Sequence, residues 1–377
     1  MTAAFRCAHA GARDWREAAG RCVTALMPLP PGANLGFLYL TDHFAGVAAD
    51  ILEFFRAKTG IAHWVGSVGM GVIAVGAEYM DEPGISVMAG AFPEQSFRVF
   101  SGKSRPPPLG ERTASGAVAA EFAVVHGDPK TADMPALIED MSAKVASGFL
   151  TGGLTSSRGA SVQIADVALE GGLSGVIFAS DIAVRTALTQ GCAPIRSAPG
   201  AEPLRHRITE CEGNIIVSLD GRPALEVFLE DIGVAGRGDL RRAALTHLAG
   251  FPVAGSDTGD FLARNIVGLD SRKKLLAVGA EPDQGGELMF CRRDRAAALE
   301  DMERMLERVS RDLESPPRGG LYISCVARGA NMFGEKGVEA EAIGRRFAAL
   351  PFAGFYANGE ISHDRLYGYT GVLTLFL

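Results

Sequence analysis

Apolar and polar positions along this chain follow one order that recurs three times: an apolar strand, a helix with one apolar stripe, a glycine-marked strand and a second apolar strand. The first copy runs through GFLYLT (Gly36 to Thr41), a helix over about Gly46 to Arg56, HWVGSVGMGVI (His63 to Ile73) and GISVMAGAF (Gly84 to Phe92). The last copy has GGLYIS (Gly319 to Ser324), a helix near Val338 to Ala348, FAGFYANGEIS (Phe352 to Ser362) and YTGVLTLFL (Tyr369 to Leu377). A weaker copy between them has EFAVVHG (Glu121 to Gly127), a helix near Leu137 to Val145, FLTGGLTSS (Phe149 to Ser157) and LSGVIFAS (Leu173 to Ser180). Val47, Ile51, Phe54 and Phe55 fall on one helix face, as do Val338, Ala342 and Phe347. FLYL and VIFA are apolar without alternation, so such strands are buried on both faces. The pattern predicts an α/β chain of the α+β kind. Its mixed β-sheets are built from strand-helix-strand-strand units with helices outside, paired face to face as an αββα sandwich.

Two stretches rich in Pro, Gly and charge read as linkers: Gly102 to Gly116, and RSAPGAEPLRH (Arg196 to His206), which divides the chain more decisively. The expected domains are therefore residues 31–200 and 201–377, with the first thirty or so residues outside any copy. The material after the second linker is new. Asp220-Gly221 between apolar runs predicts a tight turn, and Pro223 suits the first turn of a helix over about Ala224 to Glu230. Asn265 to Glu281 reads as two strands around a polar turn. Leu299, Met302, Leu306, Val309 and Leu313 form one apolar stripe on a helix over Ala296 to Leu313.

Composition narrows the function classes. A 47% hydrophobic, 21% charged chain is a globular protein, and its net charge of -7 gives no footprint for nucleic acid. No apolar run reaches the roughly 20 residues a membrane helix needs, and the N-terminus lacks the apolar core of a signal peptide. Six scattered cysteines without a C-x-x-C pair predict free thiols and a cytoplasmic location.

The motifs LGFLYLT, VGSVGMGVIAVGAE, TGGLTSS and TALTQGCAPI resemble the FIST N domain. RNIVGLD, LAVGAE, FCRRD, LYISCVARG, MFGE and FAGFYANGEI resemble the FIST C domain. The motifs occur in order over Pro31 to Leu377. The resemblance implies a sensory protein that binds a small ligand and signals through a partner, such as a histidine kinase. Some members of the family are haem-containing nitric-oxide sensors, so haem is the cofactor the resemblance raises.

Residues that depart from the repeat are the best site candidates. Shifting the first copy by 288 places Gly66 on Gly354, Gly71 on Gly359 and Ile73 on Ile361, and sets Met70 opposite Asn358 and Val72 opposite Glu360. Two apolar residues have become polar in one frame. At i and i+2 of a strand they share a side, where an amide and a carboxylate can grip an ammonium or amide group. Ser324, Cys325 and Arg328 lie where the apolar strand of that copy exits, and Arg328 can hold a ligand carboxylate through its planar fork. Arg264 and Asn265 precede IVGLD and are candidates for the same pocket. The competing reading of each is structural: Asn358 shaping a turn, Arg328 and Glu360 as a mutual buried pair.

Gly69 to Ala74 matches the letters of a dinucleotide loop, but its continuation is β-rich where that loop must open a helix. The seven histidines show no metal spacing and no C-x-x-C-H, while His206 and His247 stand in non-repeat material as axial-ligand candidates. The leading expectation is a non-enzymatic sensor of a small polar, amino-acid-like ligand. The alternatives are a haem-based nitric-oxide sensor, and a hydrolase or transferase using Cys325, Arg328 and Glu360.

Overall fold

The computed structural model describes residues 5–101, 119–234, 240–253, 259–311 and 313–377. They fall into two compact units, one joining Met1–Thr189 to Met302–Leu377 and the other Gln190–Asp301. These units cut across the expected boundary at residue 200. The expected linker Gly102 to Gly116 lies outside the described residues. The other, Arg196 to His206, is ordered: Arg196 bridges Pro203, Leu204 N donates to Ile195 O, and a strand starts at Arg205.

In the first unit the strand pairing is the same in all three copies. The leading strand runs parallel to the strand after its helix: Leu35–Thr41 with His63–Gly69, Ala120–Gly127 with Phe149–Leu154, Gly319–Cys325 with Phe352–Ala357. A helix joins each pair, Ala48–Thr59, Met134–Ser142 and Val338–Arg346. A returning strand lies antiparallel on the other side of each leading strand. After the parallel strand each copy passes to another copy's sheet. Gly71–Ala74 of the first pairs with the last, Glu360–Ser362 of the last with the middle, and Gln163–Ala165 of the middle with the first. The exchange closes on itself and gives three six-stranded sheets. Residues ahead of the first copy join this scheme: Phe5–Ala10 pairs with Ile85–Gly90 at the edge of the first sheet, followed by the helix Trp15–Leu26.

One glycine position fixes the approach of the parallel strands. A Cβ on Gly66, Gly152 or Gly354 would lie 1.8, 1.8 or 1.7 Å from the carbonyl oxygen of Leu38, Val125 or Tyr322. No other residue fits without moving backbone.

Packing explains the unalternated strands. Phe37 and Tyr39 of the first sheet, Phe122 and Phe178 of the middle and Ile323 and Phe355 of the last meet in one shared core. The opposite faces bury helices: Leu38 and Leu40 against Ile51 and Phe55, Val125 against Ile138, Leu373 against Met302, Leu306 and Ile343. The helices are outside and the sheets mixed, as expected. The αββα sandwich gives way to three sheets around a common core, because every copy completes its sheet with strands from another.

The second unit is a closed antiparallel ring of six strands. In order they are Arg205–Glu212, Ile215–Leu219, Leu275–Val278, Phe261–Asp270, His247–Pro252 and Glu287–Arg293, the last pairing back to the first. Asp220 and Gly221 both take positive φ (52° and 75°), the geometry a two-residue hairpin needs. The helix Ala224–Asp231 then packs Phe228 on Phe290, ring centroids 4.8 Å apart.

Candidate functional site

The last copy carries polar side chains at positions that are apolar in the first. Leu38 faces Gly66 as Tyr322 faces Gly354, so two residues on, Leu40 corresponds to Ser324. On the partner strand Val68 corresponds to Tyr356. On the crossing strand Ile73 faces Gly354 as Ile361 faces Gly152, which makes Val72 and Glu360 equivalent.

Tyr322 and Ser324 reach Glu339 in the first turn of the helix Val338–Arg346, a fully buried side chain. It accepts from Tyr322 Oη at 2.7 Å, Ser324 Oγ at 3.1 Å, Arg328 Nε at 2.8 Å and the Gly329 N–H at 3.1 Å. Arg328 sits in the turn after the leading strand, where its own N–H donates to Cys325 O at 2.8 Å. Both members of the Arg328–Glu339 ion pair are 0% exposed. Arg328 stays protonated: burial opposes the charge, and Glu339 outweighs it. Its Nη1 and Nη2 make no hydrogen bond, and its guanidinium carbon lies 5.5 Å from the centre of the Phe333 ring.

Two further carboxylates complete the cluster. Glu78, from the first copy's Ala77–Met80 strand, accepts from the N–H groups of Glu339 and Ala340 at 3.3 and 3.5 Å. It thereby caps a helix whose own N-cap, Gly337, has no side chain to do so. Burial and the nearby Glu339 raise the Glu78 carboxyl above its ordinary range. Glu360 opens the crossing strand Glu360–Ser362. Its Oε2 accepts from Thr370 N at 3.1 Å and Thr370 Oγ1 at 2.7 Å, and its Oε1 has no partner. Burial pushes its carboxyl up to about 8, against the hydrogen bonds from Thr370 and Cys325 and the field of Arg328. The Cys325 thiol is held well above its ordinary value by burial first and by Glu360 second. Glu78 Oε2 and Tyr356 Oη are also buried, outside hydrogen-bond geometry but near enough for the Tyr356 hydroxyl to oppose the upward push on the Glu78 carboxyl.

The structure brings together Ser324, Cys325, Arg328 and Glu360. It separates Asn358, which is exposed at the bend between two strands, its N–H donating to Leu154 O at 3.0 Å. Asn358 and Glu360 therefore do not share a strand face. The chain turns from one sheet to another at Gly359, where φ is +119°. Arg264 and Asn265 lie on the Phe261–Asp270 strand of the second unit, paired with Ala249 and Leu248. Nor is the alternative Arg328–Glu360 ion pair formed, because Glu339 occupies that place. Sequence reasoning missed Glu339; its one signal is a carboxylate four residues before the buried Ile343, on the inward face of its helix. Glu78 carries no such mark.

Gly71–Ala74 is a strand and opens no helix, so no dinucleotide loop forms there. His206 has both ring nitrogens on carboxylates, Nδ1 to Asp220 at 2.7 Å and Nε2 to Asp231 at 2.8 Å. An axial bond to haem iron would have to displace one of them. His247 Nδ1 lies 3.0 Å from Ala243 O. Among the described residues no group of three or more His, Cys, Asp or Glu is placed to hold a metal ion. No helix among them is long and apolar enough to cross a membrane. All six cysteines are free thiols.

Comparison with known proteins places this geometry among relatives. The FIST N domain matches residues 34–222 and the FIST C domain residues 224–363. An uncharacterized protein of Mycobacterium tuberculosis is 31% identical over 357 residues, 88% of either chain. An uncharacterized protein of Mycobacterium bovis is 27% identical over 387 residues, 96% of this chain and 94% of the relative.

Proposed function

Because the chain belongs to the FIST family, a FIST N domain followed by a FIST C domain, we propose that it is a sensory protein whose ligand enters the buried polar cluster of its last copy. FIST domains are associated with sensory binding of small ligands. The ligand proposed here is small and carries both an anionic and a cationic group, as a free amino acid does. Its carboxylate takes Nη1 and Nη2 of Arg328, and its ammonium takes Oε1 of Glu360. The signal passes to a partner protein, a histidine kinase being one candidate.

One observation carries this reading: a fully buried guanidinium and a fully buried carboxyl, close enough to influence one another, each keep hydrogen-bonding atoms without a partner. A buried polar atom left unsatisfied costs about 1–3 kcal/mol, so such atoms are rare where nothing is meant to meet them. Two clefts formed by described residues, about 420 and 520 Å3, do not include Arg328 or Glu360. Ligand entry therefore requires the turn around Arg328 to move, and that movement is what a partner would read. The hydrolase reading is weaker. A nucleophilic cysteine needs thiolate character, and burial keeps Cys325 a thiol.

The test is mass spectrometry of small molecules retained by the purified protein, followed by calorimetry with the twenty common amino acids. Arg328→Lys keeps the charge and loses the fork, so binding should fall while the fold survives. Absence of any retained molecule, together with no heat from any amino acid, would overturn the proposal.

A further inference from the structure

A second cluster, formed wholly by the first and middle copies, stands apart from the residues above. It lies where the first copy's parallel strand begins, at His63. A cleft of about 520 Å3 is lined there by Asn34, His63, Glu94, Phe97, Arg98 and Asp166, among others. That volume is within the range of small-molecule sites, which combine apolar walls with a few convergent polar groups.

The imidazole in this cleft is held from two sides. Its Nδ1 lies 2.8 Å from Asp166 Oδ2, and its ring meets the Phe97 ring edge-on at 5.5 Å and 83°. Asp166 is itself fixed. It sits in a turn with φ +59°, its Oδ1 accepts from Trp64 N at 2.8 Å, its N–H donates to Trp64 O at 2.8 Å, and its carbonyl accepts from Arg56 Nη2 at 2.7 Å. A carboxylate on Nδ1 keeps the proton there and leaves Nε2 as the working nitrogen. Nε2 has no partner among the described residues, and the His63 side chain is 46% exposed. Arg98 is anchored through Nη1 alone, which donates to Glu94 O and Phe97 O at 2.7 Å each. Its remaining N–H groups have no partner among the described residues.

Placing a histidine this firmly is unnecessary for packing, since half of it faces solvent. From the convergence of Nε2 and the open edge of Arg98 we infer that the cleft is a second binding site, for the oxyanion group of a small molecule. A phosphate or a carboxylate satisfies that chemistry. Arg98 forks onto two of its oxygens, and Nε2 takes a proton and donates it to a third or to one of the same pair. The charged groups around this imidazole are Asp166, engaged by Trp64 N–H and His63 itself; Glu94, exposed at the rim; Arg98; and Arg56, paired with Glu53.

The test follows the ring resonances of His63 by NMR in the full chain while inorganic phosphate or acetate is added. A saturable shift that Arg98→Gln weakens at least tenfold, with the melting temperature unchanged, is the expected result. A response to phosphate alone assigns the site to phosphoryl groups, and a similar response to acetate assigns it to carboxylates. A shift that does not saturate, or that persists in Arg98→Gln, overturns the inference. Arg98→Lys, which keeps the charge, should restore part of the affinity and so separates binding from folding.

Discussion

The first and last copies share a strand pairing, and four of the positions at which they differ turn from apolar to polar. Where the first has Leu38, Leu40, Val68 and Val72, the last has Tyr322, Ser324, Tyr356 and Glu360. The apolar version shows that the fold needs nothing polar at these places. Leu38, Leu40 and Val68 pack under helices in an ordinary core. The polar version leaves buried atoms of Glu78, Arg328, Tyr356 and Glu360 incompletely bonded, which the apolar version avoids. A repeat thus supplies its own control experiment.

The largest expected effect comes from breaking the polar copy where the apolar one has nothing to break. Glu339→Ala strands Arg328 without a counter-ion and should cost about 3–5 kcal/mol, measured by urea unfolding. A loss below about 1 kcal/mol would mean the cluster opens to water readily. Next comes pH. The Glu360 carboxyl is raised to about 8 from 4.5, so the folded chain holds this proton more tightly than the unfolded chain does. Its stabilisation is complete below about pH 4.5 and is lost as pH rises from there through about 8, on the order of a few kcal/mol. Glu360→Gln should flatten that part of the stability curve, and an unchanged slope would show that Glu360 is not the group responsible.

Glu360→Val installs the residue of the first copy and sharpens the comparison directly. The fold should persist, and affinity for the zwitterionic ligand should fall by about 1.5–3 kcal/mol, roughly tenfold to a hundredfold. Retained affinity would remove Glu360 from the site. The smallest effect belongs to the second unit. The bond to Asp231 leads the causes that raise the His206 imidazolium, with Asp220 adding to it, and burial opposes them. The stabilisation is full below the ordinary value of 6.5 and is lost as pH rises through the folded value above it. For a partly exposed group this amounts to about 1 kcal/mol or less. Hydrogen exchange in the helix Ala224–Asp231 should quicken over that window, and in His206→Gln it should lose its pH dependence.

Much of this was legible in the chain. The shift of 288 set Val72 against Glu360, and the strand registers do the same, because a side chain keeps its face wherever the pleat is kept. The departure from the apolar frame marks Glu360 and also Asn358, which the bend at Gly359 turns away, while Ser324, Cys325 and Arg328 are marked by their place at a strand exit. The destination of the crossing strands was not legible. Local patterning says that Gly71–Ala74 is a strand but not that its partner lies about 280 residues away, at Phe352–Ala357. The sandwich came from assuming that each copy closes on itself. Glu78 was hidden for the same reason: its strand alternates half-buried and buried positions like any surface hairpin. Arg264 and Asn265 belong to a motif whose strand pairs on both sides like the rest of its ring.

The cyclic exchange of crossing strands bears on how the protein folds. No copy can finish its own sheet, so no copy is a cooperative unit alone. Removing the Gly71–Ala74 hairpin should unravel the last sheet before the first, and damage should travel in one direction around the ring. The pairings that build the polar cluster are non-local, joining Glu78 to Glu339 across 261 positions. Such pairings form late and slowly. The polar cluster therefore comes into being only when the whole first unit has assembled, so under the proposed function its occupancy would report on complete folding as well as on a ligand.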